Sequence, residues 1–196
     1  RMPWSEPERC PMKIVKYLLA VLAVVLITAP ASAESWPHER EGFMIGFNIG
    51  GGSATTKPDE GADDSGGGGA GAFRLGWAFN DQFVLGFESN AWVGETDLNA
   101  DLTLSTYLIN FTWYPGAKGW FLRAGFGGGT AEVTGYIFDA KVTFTEDGGG
   151  FNLGAGHEWR LTRKFALGAA IDYATIGLDD GDFDYLNFTA QFNWYF

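Results

Sequence analysis

The chain has 196 residues, enough for one domain, and it combines 29 glycines with 16% aromatic residues. This composition excludes a leucine-rich helical bundle and favours β structure. Acidic residues outnumber basic ones by 24 to 13, which makes nucleic acid a poor partner. The one cysteine, Cys10, precedes the expected folded part, so we expect no disulfide.

The N-terminal 33 residues have the pattern of an exported precursor. Residues 1–11 precede Met12 and fit no part of a signal peptide, so we interpret them as an upstream translated extension. Residues 12–33 contain a basic start, an apolar run and a closing Ala-Ser-Ala, which predicts a signal peptide that is cleaved before Glu34. A membrane anchor is the alternative, but the run is shorter than the roughly 20 apolar residues that span a bilayer. The mature domain is then residues 34–196.

Eight later segments alternate apolar and polar residues with the two-residue period of a β-strand. No useful stretch after residue 33 has the helical period. The alternating segments are residues 43–50, 73–79, 83–91, 107–113, 120–127, 151–160, 165–173 and 186–196. An even number of such segments predicts an all-β fold, an eight-stranded antiparallel up-and-down barrel.

The connections between these segments alternate in length. Short turns are expected at residues 80–81, 115–119 and 162–164, and longer polar stretches at residues 53–69, 94–101, 132–148 and 177–182. Short turns on one rim and long loops on the other are typical of outer-membrane barrels. The third long stretch alternates within itself, which predicts that the fifth and sixth strands continue as a hairpin.

The sizes of the side chains on the two strand faces indicate which face points outward. One face carries Phe, Trp, Leu and Ile, and the other carries Gly, Ala, Asn, Thr and a few charges. An eight-stranded barrel has only just enough interior space for side chains, so the large apolar face must point outward, into lipid. This predicts a transmembrane barrel with a lumen filled by small residues and charge pairs. A soluble barrel would instead turn its apolar face inward.

Aromatic residues also collect beside the short turns. Their position predicts an interfacial girdle on the periplasmic rim. A general preference of aromatic residues for strands would explain their number but not their clustering. The residues assigned to the girdle are Trp77, Trp113, Tyr114, Trp120 and Trp159.

The end of the chain resembles the C-terminal signal by which the barrel-assembly machinery recognises bacterial outer-membrane proteins. Its apolar positions are Phe188, Phe192, Trp194 and Phe196. Residues 112–115 (Thr-Trp-Tyr-Pro) and 122–125 (Leu-Arg-Ala-Gly) resemble the small outer-membrane β-barrel family that includes the OmpA transmembrane domain and OmpX.

This resemblance implies an integral protein of the outer membrane of a Gram-negative bacterium. The implied role is structural or surface interaction, and a narrow gated pore for small solutes is the alternative. The implied partners are outer-membrane lipids and lipopolysaccharide, the barrel-assembly machinery, and host or surface ligands bound through the long loops. No cofactor is implied.

Six charged residues fall on the inward face of the predicted strands. Buried charges must be paired, because an unpaired one costs several kcal/mol, and three bases can match three acids. A static polar core and a gated ionic plug are both consistent with the pattern, and OmpA-like barrels carry a similar network. The six are Arg74, Glu88, Arg123, Glu158, Arg160 and Asp172.

Catalysis and metal binding receive little support from the sequence. A lipid A-modifying enzyme would need serine, histidine and carboxylate together, yet His157 lies on the lipid-facing side of its strand and has no serine near it in sequence. The serines that the fold would have to bring close are Ser53, Ser65, Ser89 and Ser105. The acidic stretches 59–64 and 179–182 match no calcium loop. We therefore predict no enzymatic activity, no catalytic residues and no metal site.

Overall fold

The computed structural model describes residues 39–58, 64–95, 101–137, 140–178 and 181–196. The predicted upstream extension and signal peptide lie outside these ranges, as does most of the acidic stretches at 59–64 and 179–182. No helix in the described ranges is long and apolar enough to cross a membrane.

Eight strands form the fold, and one short 3-10 turn, Pro115–Ala117, interrupts their succession. The strands are β1 (Gly42–Pro58), β2 (Asp64–Asn80), β3 (Phe83–Glu95), β4 (Asp101–Trp113), β5 (Trp120–Ile137), β6 (Ala140–Arg160), β7 (Phe165–Leu178) and β8 (Gly181–Tyr195). Each pairs antiparallel with the next, and β1 pairs with β8 to close the barrel. The predicted eight-stranded up-and-down barrel is confirmed.

Aromatic pairs across neighbouring strands reinforce the pairing. The ring of Phe47 on β1 lies 5.2 Å from that of Phe73 on β2 and 6.0 Å from that of Trp194 on β8. Such cross-strand contacts each contribute a few tenths to about 1 kcal/mol. They help fix the register at which β1 closes the barrel.

The two ends of the barrel differ. The three turns, at residues 81–82, 114–119 and 161–164, lie at one end together with the start of β1 and the end of β8, and we call this the turn end. The opposite, hairpin end has strands that extend far beyond the predicted segments. The long loops expected at 53–69 and 177–182 were wrong, because residues 53–58, 64–69, 177–178 and 181–182 are paired strand. In the stretch 94–101, residues 94, 95 and 101 are paired strand, and the others lie outside the described residues. The predicted continuation of β5 and β6 as a hairpin agrees with their pairing up to Ile137 and Ala140.

The outward face of the middle of the barrel is apolar and exposed. Side chains such as Ile49, Phe126 and Phe188 are 60–69% exposed, whereas their neighbours in sequence point inward. Toward the hairpin end the outward positions become Ser, Thr, Asp and Glu, for example Thr55, Thr130 and Asp184. The apolar band thus has a boundary that follows all eight strands, as expected for a surface that meets lipid.

The lumen holds more large apolar side chains than the sequence predicted. Toward the hairpin end lies an outer cluster, formed by Ala54, Ala70, Trp92, Leu102, Leu104, Ala131, Ala174, Ile176 and Tyr185. Toward the turn end lies an inner cluster, formed by Met44, Ala78, Val84, Tyr114, Phe121, Ala166, Ala170 and Tyr195. The lumen therefore contains these larger rings in addition to the predicted small residues and charge pairs, and inward glycines such as Gly68, Gly94 and Gly156 leave room for them.

Candidate functional site

A belt of charged side chains crosses the lumen between the two apolar clusters. Arg123 on β5 forms ion pairs with Asp172 on β7 and, at 3.5 Å from Nε to Oε2, with Glu88 on β3. Arg74 on β2 approaches the same Glu88 oxygen at 3.8 Å. These carboxylates and guanidinium groups are almost fully buried, so each needs its partner in the belt.

Side-chain amides complete the coordination of the charged belt. Glu88 accepts hydrogen bonds from Asn110 Nδ2 at 3.3 Å and from Asn152 Nδ2 at 2.9 Å. Arg74 Nη2 donates to amide oxygens of Asn48 and of β8 residues. The belt therefore ties together side chains from strands on all sides of the lumen, which rigidifies the barrel.

A second network surrounds Glu158 at the turn end. Its Oε2 accepts hydrogen bonds from Asn193 Nδ2 at 2.7 Å and from Tyr195 Oη at 2.8 Å. Its Oε1 lies 3.1 Å from Arg40 Nη2 and 3.6 Å from Arg160 Nε. We call this group the Glu158 network. Asn193 also accepts a hydrogen bond from Arg74, so it joins the two networks.

Arg40 is the participant that sequence reasoning missed. It precedes β1, so no strand alternation assigns it to a face. Its backbone N–H donates to Asp81 Oδ1 at 2.7 Å, and its Nη2 donates to the Lys118 carbonyl at 3.1 Å. The residues before β1 thus lie across the turn end of the lumen, and the described lumen contains four arginines against three carboxylates.

The structure places all six sequence-predicted charges in the lumen. It does not, however, pair them as three simple couples. Arg123 meets Glu88 and Asp172 but not Glu158, because the stagger of the strands sets Glu158 nearer the turn end. Gly154 lies beside this contact, and a Cβ there would displace the Asp172 carboxylate that pairs with Arg123.

Tyr114 was wrongly assigned to the interfacial girdle. It is 2% exposed, its hydroxyl lies 3.4 Å from Glu158 Oε2, and the Arg40 guanidinium carbon lies 3.5 Å from its ring centre. The reason is the alternation itself: Trp113 points outward, so its neighbour must point inward. The other girdle residues are outward, with Trp77 54%, Trp113 40% and Trp120 64% exposed and Trp159 half-buried.

The proposed assembly-signal residues occupy the outward face of β8. Phe188 and Phe196 are each 60% exposed, while Phe192 and Trp194 are half-buried, and Trp194 packs against the ring of Phe47. Trp194 lies 4.9 Å from the ring of Phe165. These positions are accessible from the lipid side; their role in assembly stays a prediction.

At the hairpin end, Asp184 is bound by Lys57 Nζ and by the Tyr173 hydroxyl, at 2.8 Å for the latter. Partial burial tends to raise the pKa of Asp184, but the hydrogen bonds from Lys57 and Tyr173 outweigh it and hold that pKa below its ordinary value. The carboxylate therefore stays ionised at neutral pH.

His157 lies outside the barrel, between two girdle rings. Its ring centre is 4.8 Å from that of Trp120 and 4.7 Å from that of Trp159, and its Nδ1 is buried without a hydrogen-bond partner. The structure does not bring the candidate serines to it: Ser53 and Ser105 lie near the hairpin end of β1 and β4. Within the described ranges, no group of three or more metal-ligating side chains is placed to hold an ion.

Comparison with known proteins gives one family match and several structural ones. The model of the outer membrane protein beta-barrel domain matches residues 19–196. Neisserial surface protein A aligns with a TM-score of 0.59 and 14% identity over 80% of this chain and 98% of its own. Ail, the attachment invasion locus protein of Yersinia pestis, aligns with a TM-score of 0.57 and 16% identity over 79% and 99%. At these identities the structural likeness concerns the fold alone, and no curated protein matches in sequence.

Proposed function

Because the chain belongs to the family of outer-membrane protein β-barrel domains, we propose that it is a closed structural barrel of the bacterial outer membrane. We orient the barrel with the turn end toward the periplasm and the hairpin end toward the cell exterior, because outer-membrane barrels have short periplasmic turns and longer extracellular connections. The barrel contributes a rigid, non-conducting element to the membrane and displays its hairpins on the surface.

The observation that carries this proposal is the triple closure of the lumen. Trp92, Leu104 and Ile176 are at most 1% exposed in the outer cluster. Below them lies the charged belt, and below the belt the Glu158 network fills the turn end with Tyr114 and Tyr195. An open path for hydrated ions would require all three layers to move.

A narrow gated pore is the second candidate, and one feature favours it. The belt in the middle of the lumen consists of ion pairs that could exchange partners, since Arg123 contacts two carboxylates. The apolar clusters on either side of the belt argue against this role, because an exchange of ion pairs leaves their rings in place.

Single-channel recording in planar bilayers separates the two candidates. We expect refolded protein to give no conductance steps, and we expect the Arg123→Met variant to stay silent as well, because the outer and inner clusters still close the lumen. The gated-pore candidate predicts steps in that variant. Regular steps from the wild type would contradict the closed barrel. Mobility on an unheated gel controls for folding.

The hairpin end supports a surface role of the same barrel. Exposed acidic side chains such as Asp101, Glu132 and Asp147 occupy it, and β5 and β6 pair beyond the ends of their neighbours. Surface ligands and lipopolysaccharide are the partners we propose for this end. Catalysis has no part in the proposal, since no serine or carboxylate is hydrogen-bonded to His157 among the described contacts.

A further inference from the structure

The lipid-facing surface of the barrel contains a groove between β4 and β8. One depression, of about 560 Å³, lies near the turn end and is lined by Trp120, His157, Trp159 and Phe188 around Ala155 and Ala169. A second, of about 540 Å³, continues toward the middle of the barrel and shares Ala155 and Ile171 with the first. We call the two together the lateral groove.

The groove exists because outward alanines replace the large side chains found elsewhere on the barrel. Ala155 on β6 pairs with Leu122 and Ile171, and Ala169 on β7 pairs with His157 and Ala190. The aromatic rings that flank these alanines extend further from the barrel surface and form the walls of the groove. Each depression falls within the size range of small-ligand sites, about 300–1,000 Å³.

The turn end directly below the groove is basic. The turn before β5 carries Lys118 two residues from Trp120, and the turn after β6 carries Arg163 four residues from Trp159; both side chains are exposed. Lys164, in the same turn as Arg163, instead lies over the ring of Phe196, 6.0 Å from its centre, and Phe196 does not line the groove. Neither turn contains an acidic residue. The described acids at this end belong to the segment before β1, to the β2–β3 turn and to the buried Glu158 network.

The groove and its charges fit one class of lipid. An acyl chain requires an apolar channel that opens to the bilayer, and a phosphate requires cations at the depth of the headgroups, which Trp120 and Trp159 mark as interfacial rings. Basic residues beside membrane-embedded grooves attract anionic lipids. We propose that the lateral groove binds an anionic phospholipid of the periplasmic leaflet, with an acyl chain beside Ala155 and Ala169 and the phosphate near Lys118 and Arg163.

This proposal rests on the membrane orientation given above but not on whether the lumen conducts. The test is native mass spectrometry of the full-length protein released from micelles that contain equal amounts of phosphatidylglycerol and phosphatidylcholine. We expect one phosphatidylglycerol to be retained in preference to phosphatidylcholine. Conductance is measured separately, so a failure here and a failure of the closed-barrel proposal are distinguishable.

Two variants test the two parts of the site. Lys118→Ala with Arg163→Ala lowers the preference for phosphatidylglycerol, by about fivefold for each charge removed. Ala155→Leu with Ala169→Leu fills the groove and abolishes retention of either lipid. The matched control is Ala91→Leu, which enlarges an outward, exposed alanine on β3, away from the groove; it leaves retention unchanged.

Three results would overturn the proposal. The first is equal retention of the two lipids by the wild type. The second is a preference for phosphatidylglycerol that survives the removal of both charges. This result is decisive even if the groove-filling variant does not fold, because the charge variant is measured separately. The third is a dimer mass that the groove-filling variant abolishes, since it would assign the groove to a second copy of the chain.

Discussion

Arg123 is the residue on which most of the charged belt depends. It forms ion pairs with Glu88 through Nε and with Asp172 through Nη2, and all three side chains are nearly excluded from solvent. Replacing Arg123 by Met removes the positive charge that lies beside both carboxylates. Glu88 retains Arg74 and two amide donors, whereas Asp172 loses its one described ion pair.

We therefore expect Arg123→Met to lower the free energy of unfolding by about 3–5 kcal/mol. Adding Asp172→Asn should recover more of this loss than adding Glu88→Gln, because Asp172 is the group left without a charge partner. The measurement is the temperature at which the folded gel band disappears. Arg163→Met, an exposed arginine in a turn, is the control and should melt like the wild type. Equal melting of Arg123→Met and wild type would mean that the belt adds no stability.

For individual residues, the alternation of the strands predicted which charged side chains point into the lumen. It did not predict which of them form ion pairs. All six charges lie on the predicted face because successive strand residues point to opposite faces. Their partners depend on the stagger between strands, which alternation does not fix. The alternation, applied strictly, would also have placed Tyr114 inside. Arg40 left no such signal, because it lies before the first strand.

Among the elements, the hairpin of β5 and β6 extends furthest. Its paired residues continue to Ile137 and Ala140, while the outer cluster ends near Ala131 and Val133. Beyond the cluster, the described side chains of Thr134 and Thr143 are polar and are hydrogen-bonded to each other. We therefore expect the barrel to be stable without the tip of the hairpin.

Replacing residues 135–142 by Asn-Gly tests this independence. Thr134 and Thr143 already face each other across the hairpin with their hydroxyls 3.0 Å apart, and Asn-Gly favours the two-residue turn that joins such a pair. We expect the unfolding free energy to change by less than about 1 kcal/mol, measured by urea titration in vesicles. A large loss, or failure to fold, would show that the hairpin tip stabilises the barrel.

The sequence did not predict the lengths of the strands. Hydropathy alternation ends where the outward face leaves the lipid, so it reports the membrane-spanning part of each strand. The backbone pairing continues beyond it through glycines, as between Gly127–Gly129 and Gly148–Gly150, because ladder hydrogen bonds join backbone groups and require no alternation of side chains.

For the whole molecule, the barrel and its inside-outside arrangement followed from the sequence, whereas the closure of the lumen did not. The apolar outward face and the even number of strands were sufficient for the fold. The two clusters inside the lumen arise from inward positions such as Trp92 and Phe121, which interrupt runs of small residues without a pattern of their own. Only the three-dimensional arrangement brings them together above and below the charged belt.

The most direct test of the closed lumen is the reactivity of a thiol placed inside it. In a Cys10→Ser background the chain has no other cysteine, so Thr106→Cys provides a single probe at a fully buried lumen position. Thr145→Cys provides an exposed probe on the hairpin. In folded protein in vesicles, we predict that a small water-soluble thiol reagent labels residue 145 rapidly and leaves residue 106 unlabelled until the barrel is heated. Labelling of residue 106 in the folded barrel at a rate similar to that of residue 145 would contradict the closed lumen.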